Sequence, residues 1–397
     1  MFITIFGKFE KLKIYPMVYR ILLLLALWLP FSTTLFGQDA APEDEGYQFT
    51  PVYDMEETDV KSQGRTGTCW SFCTASFLES EMIRMGRKPI DLSEMYIVRQ
   101  VYLDKADNYI RRNGTAQFSE GGLSHDLMRA YGRAGVLPES MYDGKVNGMA
   151  PHDHSEMVEA LEELVKLYAK KDRVSPEWKA ALHSIMDVYM GDVPESFTYE
   201  GKTYTPASFA EEVIGLVASD YVTITSFSHH PFYQPFVLEI PDNYSNGLYY
   251  NVPLADMMAI TDHALAEGYT IAWDGDVSEK GFSARQGLAV LPAEPPRKEA
   301  EWRAVFAAPV EEVVVTQENR QTAFDTKSTT DDHLMHITGM VEDQQGNRYY
   351  TVKNSWGALG PYDGFLYMSV PYYQMKTVGI MIHKDALPSS IREQLNL

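Results

Sequence analysis

Two cysteines occur in this chain of 397 residues, Cys69 and Cys73. Cys69 closes the loop KSQGRTGT and opens the apolar run WSFCTASFLES. A helix starting there turns unpaired backbone N–H groups and a partial positive charge toward the sulfur. Such a field draws a thiol toward thiolate, the nucleophilic form. A nucleophile also needs a base and a group that orients the base. His336 and Asn354 stand 18 residues apart, on two strand-like runs joined by the turn DQQGN. A hairpin would set them side by side, with Asn354 holding the second imidazole nitrogen. Gln63, six residues before Cys69, carries an amide that would join the Cys69 N–H in an oxyanion hole. Cys73, one turn further on, reads as core packing.

The elements that must position these groups follow from patterning. Cys69 to Met85 reads as a buried central helix ended by Gly86. Ser93 caps a second helix in DLSEMYIVRQVYL, and GGLSHDLMRAYGRAG gives a third, ended near Gly135. Residues 155–217 are charged and amphipathic, a helical block. From Tyr221 the texture becomes short β-branched and aromatic runs (YVTITSF, LYYNV, YTIAW, HITGMVED, RYYTVKNSW, GFLYMSV, TVGIMIH), interrupted by one helix in PLADMMAITDHALAEG. Residues 291–327 read as a long surface excursion. Helices first and strands later make an α+β chain with two lobes.

Together QGRTGTCW, the His of HITGM and KNSWG resemble the papain-type cysteine peptidase triad. The spacing of 267 residues from Cys69 to His336 exceeds the roughly 130–150 usual for that type, which implies a large insertion. GGLSHDLMRAYGRAGVLPESMY, LYYNVPLADMMA and EGYTIAWDGDVSEKGFSARQG resemble the bleomycin hydrolase or aminopeptidase C branch, and the likeness runs over residues 56–388. It implies a papain-like two-lobed fold, with a helical left lobe, a β-barrel-like right lobe and a helical insertion at about 140–217. By the same likeness Cys69 is the nucleophile, His336 the general acid/base, Asn354 its orienter and Gln63 the oxyanion donor. Family pattern and strand register favour His336 over the rival His333. Trp356 would cover the His–Asn pair, Gly121 and Gly122 would pair with substrate main chain, and Asp276 would lie near the cleft and touch substrate. The implied activity is peptide hydrolysis through a thioester, most simply as an aminopeptidase on short peptides, without a cofactor. The branch also suggests a homo-oligomer.

Alternatives come from particular features. The family's C-terminal arm meets the substrate's amino group, whereas TVGIMIHKDALPSSIREQLNL stops short of it, which opens endopeptidase or oligopeptidase action. A transglutaminase-like acyltransferase and an inactive peptide-binding protein are further readings. The pairs in HDH (152–154) and HH (229–230) read as solvated loop histidines without a ligand cluster, and Asp274 and Asp276 lack the oxygens of a calcium loop.

The formal charge of −21 disfavours nucleic acid. Lys8, Lys11, Lys13 and Arg20 precede the apolar run ILLLLALWLPF, the layout of an export signal over residues 1–37, with a retained anchor as the other reading. Its loss would leave a charge of −24, no stable membrane association, and a protein acting in the periplasm or medium. An acidic leader at 38–52 reads as flexible, and the peptidase domain as 53–397. Cysteines four apart on a helix form no disulfide framework.

Overall fold

The computed structural model describes residues 46–146, 148 and 151–397. The expected export signal and most of the leader lie outside the described residues. The leader's end is ordered: β1 (Thr50–Asp54) pairs with a later strand, and Phe49 packs 4.1 Å from the Tyr367 ring.

Three helices surround the first core. α1 (Cys69–Arg84) is buried at every residue from Cys69 to Met82, its apolar side chains lying around much of its circumference and its polar ones, such as Glu79 and Glu81, buried with them. α2 (Glu94–Arg111) starts where the Ser93 hydroxyl accepts from the Tyr96 N–H at 3.1 Å, and α3 (Ser124–Ala134) ends at Gly135. α4 (Ser155–Ala169) and α5 (Glu177–Met190) extend this lobe. The rest of the expected helical block differs. FTYEGKTY folds as a hairpin, β2 (Phe197–Tyr199) and β3 (Lys202–Tyr204), because Glu200 and Gly201 both take the positive φ of a tight turn. α6 (Pro206–Phe209) then runs into a π turn over Ala210–Ile214.

The second lobe is a sheet. Its elements are β4 (Tyr221–Thr225), β5 (Pro235–Val237), β6 (Leu248–Asn251), α7 (Leu254–Ala266), β7 (Ile271–Gly275), β8 (Phe282–Ser283) and β9 (Leu288–Ala289). α8 (Trp302–Val305) and α9 (Gln317–Asp325) follow, then β10 (His333–Glu342), β11 (Arg348–Lys353), β12 (Phe365–Ser369), α10 (Val370–Lys376), β13 (Thr377–His383) and α11 (Ser389–Leu395). Strand order is β5-β6-β4-β13-β7-β10-β11-β12-β9-β8, with β1 on the far half of β10.

Residues 291–327 run largely over the surface, as expected, but are anchored at a few buried positions. Trp302 and Val305 are buried with Val341 and Tyr349, and the fully buried Arg320 donates to the carbonyls of Ser226 and Gln374 at 2.9 and 2.8 Å. The helix α11 packs Ile391 and Leu395 into the sheet lobe's core with Met257 and Tyr373.

Two large cores result among the described residues, one among α1–α5 and one between the sheet and α7, with the Trp302 cluster as a smaller third. β7 and β10 form the seam. Ala272 and Leu334 face the helical core, while Trp273 and Met335 face the other, the alternation a strand imposes.

Candidate active site

The loop before α1 is laid against the chain after β11. Gln63 N–H donates to the Ser355 carbonyl (2.9 Å), Gly357 N–H donates to Lys61 (3.0 Å), and Ser62 bridges Trp356. Gly64 sits at φ +65°, where a Cβ would collide with His152 backbone, so only glycine fits without strain. On the other side, the Glu120 carboxylate accepts from Gly67 N–H at 2.7 Å and its carbonyl accepts from the Trp70 indole at 3.0 Å. Glu120 thus clamps the cysteine loop to Gly121 and Gly122. Gly122 lies on the Trp70 ring, and Gly121 lies against the Asp242 carboxylate.

The expected partnership of His336 with Asn354 does not form. Asn354 Oδ1 instead meets His333 Nε2 at 2.8 Å. The same oxygen accepts from the Ser355 N–H at 2.7 Å, which fixes it as the acceptor. His333 Nε2 therefore carries the proton, and Nδ1 holds the lone pair. The physical reason is a bulge. Counting back from Glu342↔Arg348, an unbroken register would put His336 opposite Asn354. The shift between Ile337 and Gly339 moves Lys353 opposite His336 and turns Asn354 to the other face of the hairpin, the face of His333.

His336 has a different setting. Its Nδ1 meets the Ser76 hydroxyl at 2.9 Å, and the Lys353 ammonium donates to that hydroxyl at 2.8 Å. Ser76 is left to donate its own proton to His336, and Nε2 has no partner among the described residues. Burial, with Lys353 beside it, holds the ring neutral far below its ordinary pKa. This is a core histidine on the inner face of the sheet lobe.

Trp356 lies over the His333 ring, centroids 4.7 Å apart, and is 39% exposed. Burial pushes His333 down to about 4, with the Asn354 bond opposing, so the ring is a neutral acceptor at pH 7. Gln63 is fixed at both ends of its amide. Oε1 accepts from Ser355 Oγ at 2.6 Å, and Nε2 gives one proton to the Thr66 carbonyl at 2.6 Å, keeping a second.

Two influences compete at the Cys69 sulfur. The helix start and a backbone hydrogen bond from Leu334, next to His333, favour thiolate. Burial, then the charges of Asp331, Asp274 and Asp242, pushes the thiol up to about 12. Burial wins, so the junction with α1 does not by itself ionise the sulfur. Cys73 is buried and raised further by burial.

Asp276 is not turned to a ligand. It pairs with buried Lys376 at 3.1 Å and accepts from Ser278 N–H and Oγ, both at 2.7 Å. Nor are the histidines of HDH solvated. His152 and His154 are buried behind the Gly64 loop, and burial lowers both to about 4. The exposed pair His229 and His230 does gain a third donor, with Nε2 atoms 3.2 and 2.7 Å from the two oxygens of Glu239. Sequence reading missed Ser355, Glu120, Asp331 and Asp242. The acids flanking glycines and histidines in SEGG and DDH were the available signal.

Residues 116–397 match the family model described as Peptidase C1-like family, a span that holds His333 and Asn354 but not Cys69 or Gln63. The chain is 24% identical over 393 residues to aminopeptidase G of Lactobacillus delbrueckii subsp. lactis, covering 88% of this chain and 86% of that protein. It is 22% identical over 403 residues to aminopeptidase C of Listeria innocua, covering 90% and 88%. The crystal structure of PepW from Lactobacillus rhamnosis superposes with a TM-score of 0.69 at 18% identity, over 87% of this chain and 84% of that one.

Proposed function

We propose, for a chain that belongs to the Peptidase C1-like family and is a papain-like cysteine peptidase, that it releases N-terminal residues from peptides with Cys69 as nucleophile and His333 as its base. The observation that carries this reading is the bond from His333 Nε2 to Asn354 Oδ1 beneath Trp356, which leaves Nδ1 as a neutral acceptor. The relatives named aminopeptidase support the exopeptidase mode.

Chemistry follows from those protonation states. As the peptide carbonyl arrives, Cys69 gives its proton to His333 Nδ1 and the sulfur bonds to carbon. The carbonyl π pair moves onto oxygen, where the Cys69 N–H and the second Gln63 Nε2 proton stabilise it. The tetrahedral centre then collapses. Its C–N bond breaks, the leaving amine takes the proton from His333, and a thioester remains. Water gives a proton to His333 as it attacks the thioester, and the sulfur leaves with that proton restored. Asn354 accepts from Nε2 throughout, so the ring keeps one orientation as its charge changes. Trp356 shields that bond from competing water.

The test is turnover of a free-amine dipeptide by the full chain and by Cys69→Ala, with products identified by mass. Release of the first residue by the wild type alone is expected. Retained turnover in Cys69→Ala would remove the sulfur from the mechanism.

A further inference from the structure

Beside the nucleophile the structure holds carboxyls that nothing in the mechanism above uses. Asp274 is 4% exposed, and among the described residues its carboxyl meets no donor other than the neighbouring carboxyl of Asp331. It lies opposite Leu334 in the β7–β10 register and lines a narrow cavity with Leu123, Ser124 and Tyr249. Leu123 follows the Gly121–Gly122 edge and Leu334 follows His333, so this cavity adjoins the place of the scissile bond. Asp331, two residues before His333, shares a side-chain hydrogen bond with Asp274, which requires one proton between the two carboxyls, and its Oδ2 is unpartnered. Asp242, half-exposed against Gly121, accepts only from Gln117 at 3.1 Å among the described residues.

Among the described residues no cation forms an ion pair with this group, although the Lys105 charge reaches Asp242 and Asp331. Lys105 lies near, but its ammonium is taken by the carbonyls of Ser119 and Gly121 and forms no ion pair among the described residues. Buried carboxylates without a counter-charge are strongly unfavourable, so this group either holds protons or takes up a cation from outside.

We propose that Asp274 and Asp331, with Asp242 at the rim, form a subsite that binds the α-ammonium group of the substrate's first residue. The inference rests on the peptidase reading and names what that site selects. One carbon separates an α-ammonium from the carbonyl carbon that sulfur attacks, so its receptor must adjoin Cys69, as this cluster does. A lysine side chain one residue upstream offers the same chemistry, but the cavity is narrow, which favours the shorter group. Burial first, and then the charges of these three carboxyls, hold the Cys69 thiol protonated. A bound ammonium offsets them, so the correct substrate eases departure of the thiol proton.

The experiment compares four coumarin amides on the full chain: leucyl, N-acetyl-leucyl, N-acetyl-lysyl-leucyl and N-acetyl-norleucyl-leucyl. In parallel, labelling of Cys69 by free and N-acetylated leucine chloromethyl ketone is followed by mass. Each is run on the wild type, Asp274→Asn, Asp331→Asn and Asp242→Asn, the last keeping the test alive where a deeper variant fails to fold. The wild type should prefer the free amine by about 30-fold or more in kcat/KM and in labelling rate, and the folded variants should lose most of that preference through a fall in the free-amine rates, with acetylated rates equal to or above those of the wild type. Equal rates for free and acetylated forms, or a parallel fall on all substrates in the variants, would overturn the subsite. A preference for acetyl-lysyl over acetyl-norleucyl would move the ammonium to an upstream side chain and overturn the α-ammonium assignment. Free-amine preference in labelling without any turnover would support the subsite while sinking the peptidase reading.

Discussion

Two histidines three positions apart differ in every neighbour that matters to their chemistry. His333 has an orienting carbonyl, an aromatic cover and a free nitrogen, whereas His336 has a serine, a lysine and the core. Replacing His333 by Ala should lower kcat/KM by ~10²–10⁴ while leaving the urea midpoint nearly unchanged. Replacing His336 by Ala should do the reverse. It leaves the Ser76 hydroxyl proton without its acceptor, at a loss of roughly 1–3 kcal/mol in urea unfolding, with catalysis by the folded protein retained. Asp276 belongs with the second kind. Asp276→Ala leaves Lys376 with the partly exposed Glu279 as its remaining carboxylate, a loss of about 1–3 kcal/mol, and the KM for peptides should not move. A rise in KM without a stability loss would return Asp276 to the binding surface.

At the scale of elements, the helix starts were readable because capping is local. The Ser93 cap, the Gly86 and Gly135 stops and the aromatic-rich start of α1 each lie within one window of sequence. The identity of the base was not. A regular DQQGN hairpin does bring His336 opposite Asn354, and a bulge near Thr338 reverses that, set by packing that no local pattern records. The hairpin in FTYEGKTY was hidden by helical neighbours, although its Glu-Gly turn is a short-range signal. Gly64 shows what a single backbone position does for the site. Gly64→Ala forces a Cβ into His152 backbone at positive φ, a strain of about 1–3 kcal/mol. Because that loop carries Gln63, kcat should fall with stability. A variant of unchanged stability and rate would show that the loop tolerates other geometries.

At the scale of the molecule, pH acts on buried groups of both signs. His152, His154 and His333 are held near 4, below their unfolded value, so the stability they contribute is lost as pH falls from about 6.5 through 4. Glu79, Glu312 and Asp331 are raised by burial to about 7, so theirs is lost as pH rises from about 4.5 through 7. The two sets oppose each other between about 4.5 and 6.5 and only the carboxyls act above it. Urea midpoints should be flat across that window and decline toward pH 8, and a steady rise to pH 8 would contradict these assignments. The two-lobe design was legible in the order of helical and strand-like text. The acid cluster at the seam was not, because Asp242, Asp274 and Asp331 meet only when β7, β10 and the loop before β6 come together.

Alkylation of Cys69 by iodoacetamide as a function of pH tests the central claim most directly. With His333 as proton acceptor, the wild type and His336→Ala should both react at pH 6–8, while His333→Ala should be slow there and speed up only toward the thiol's own high pKa. A reaction that His336→Ala slows and His333→Ala spares would contradict the account.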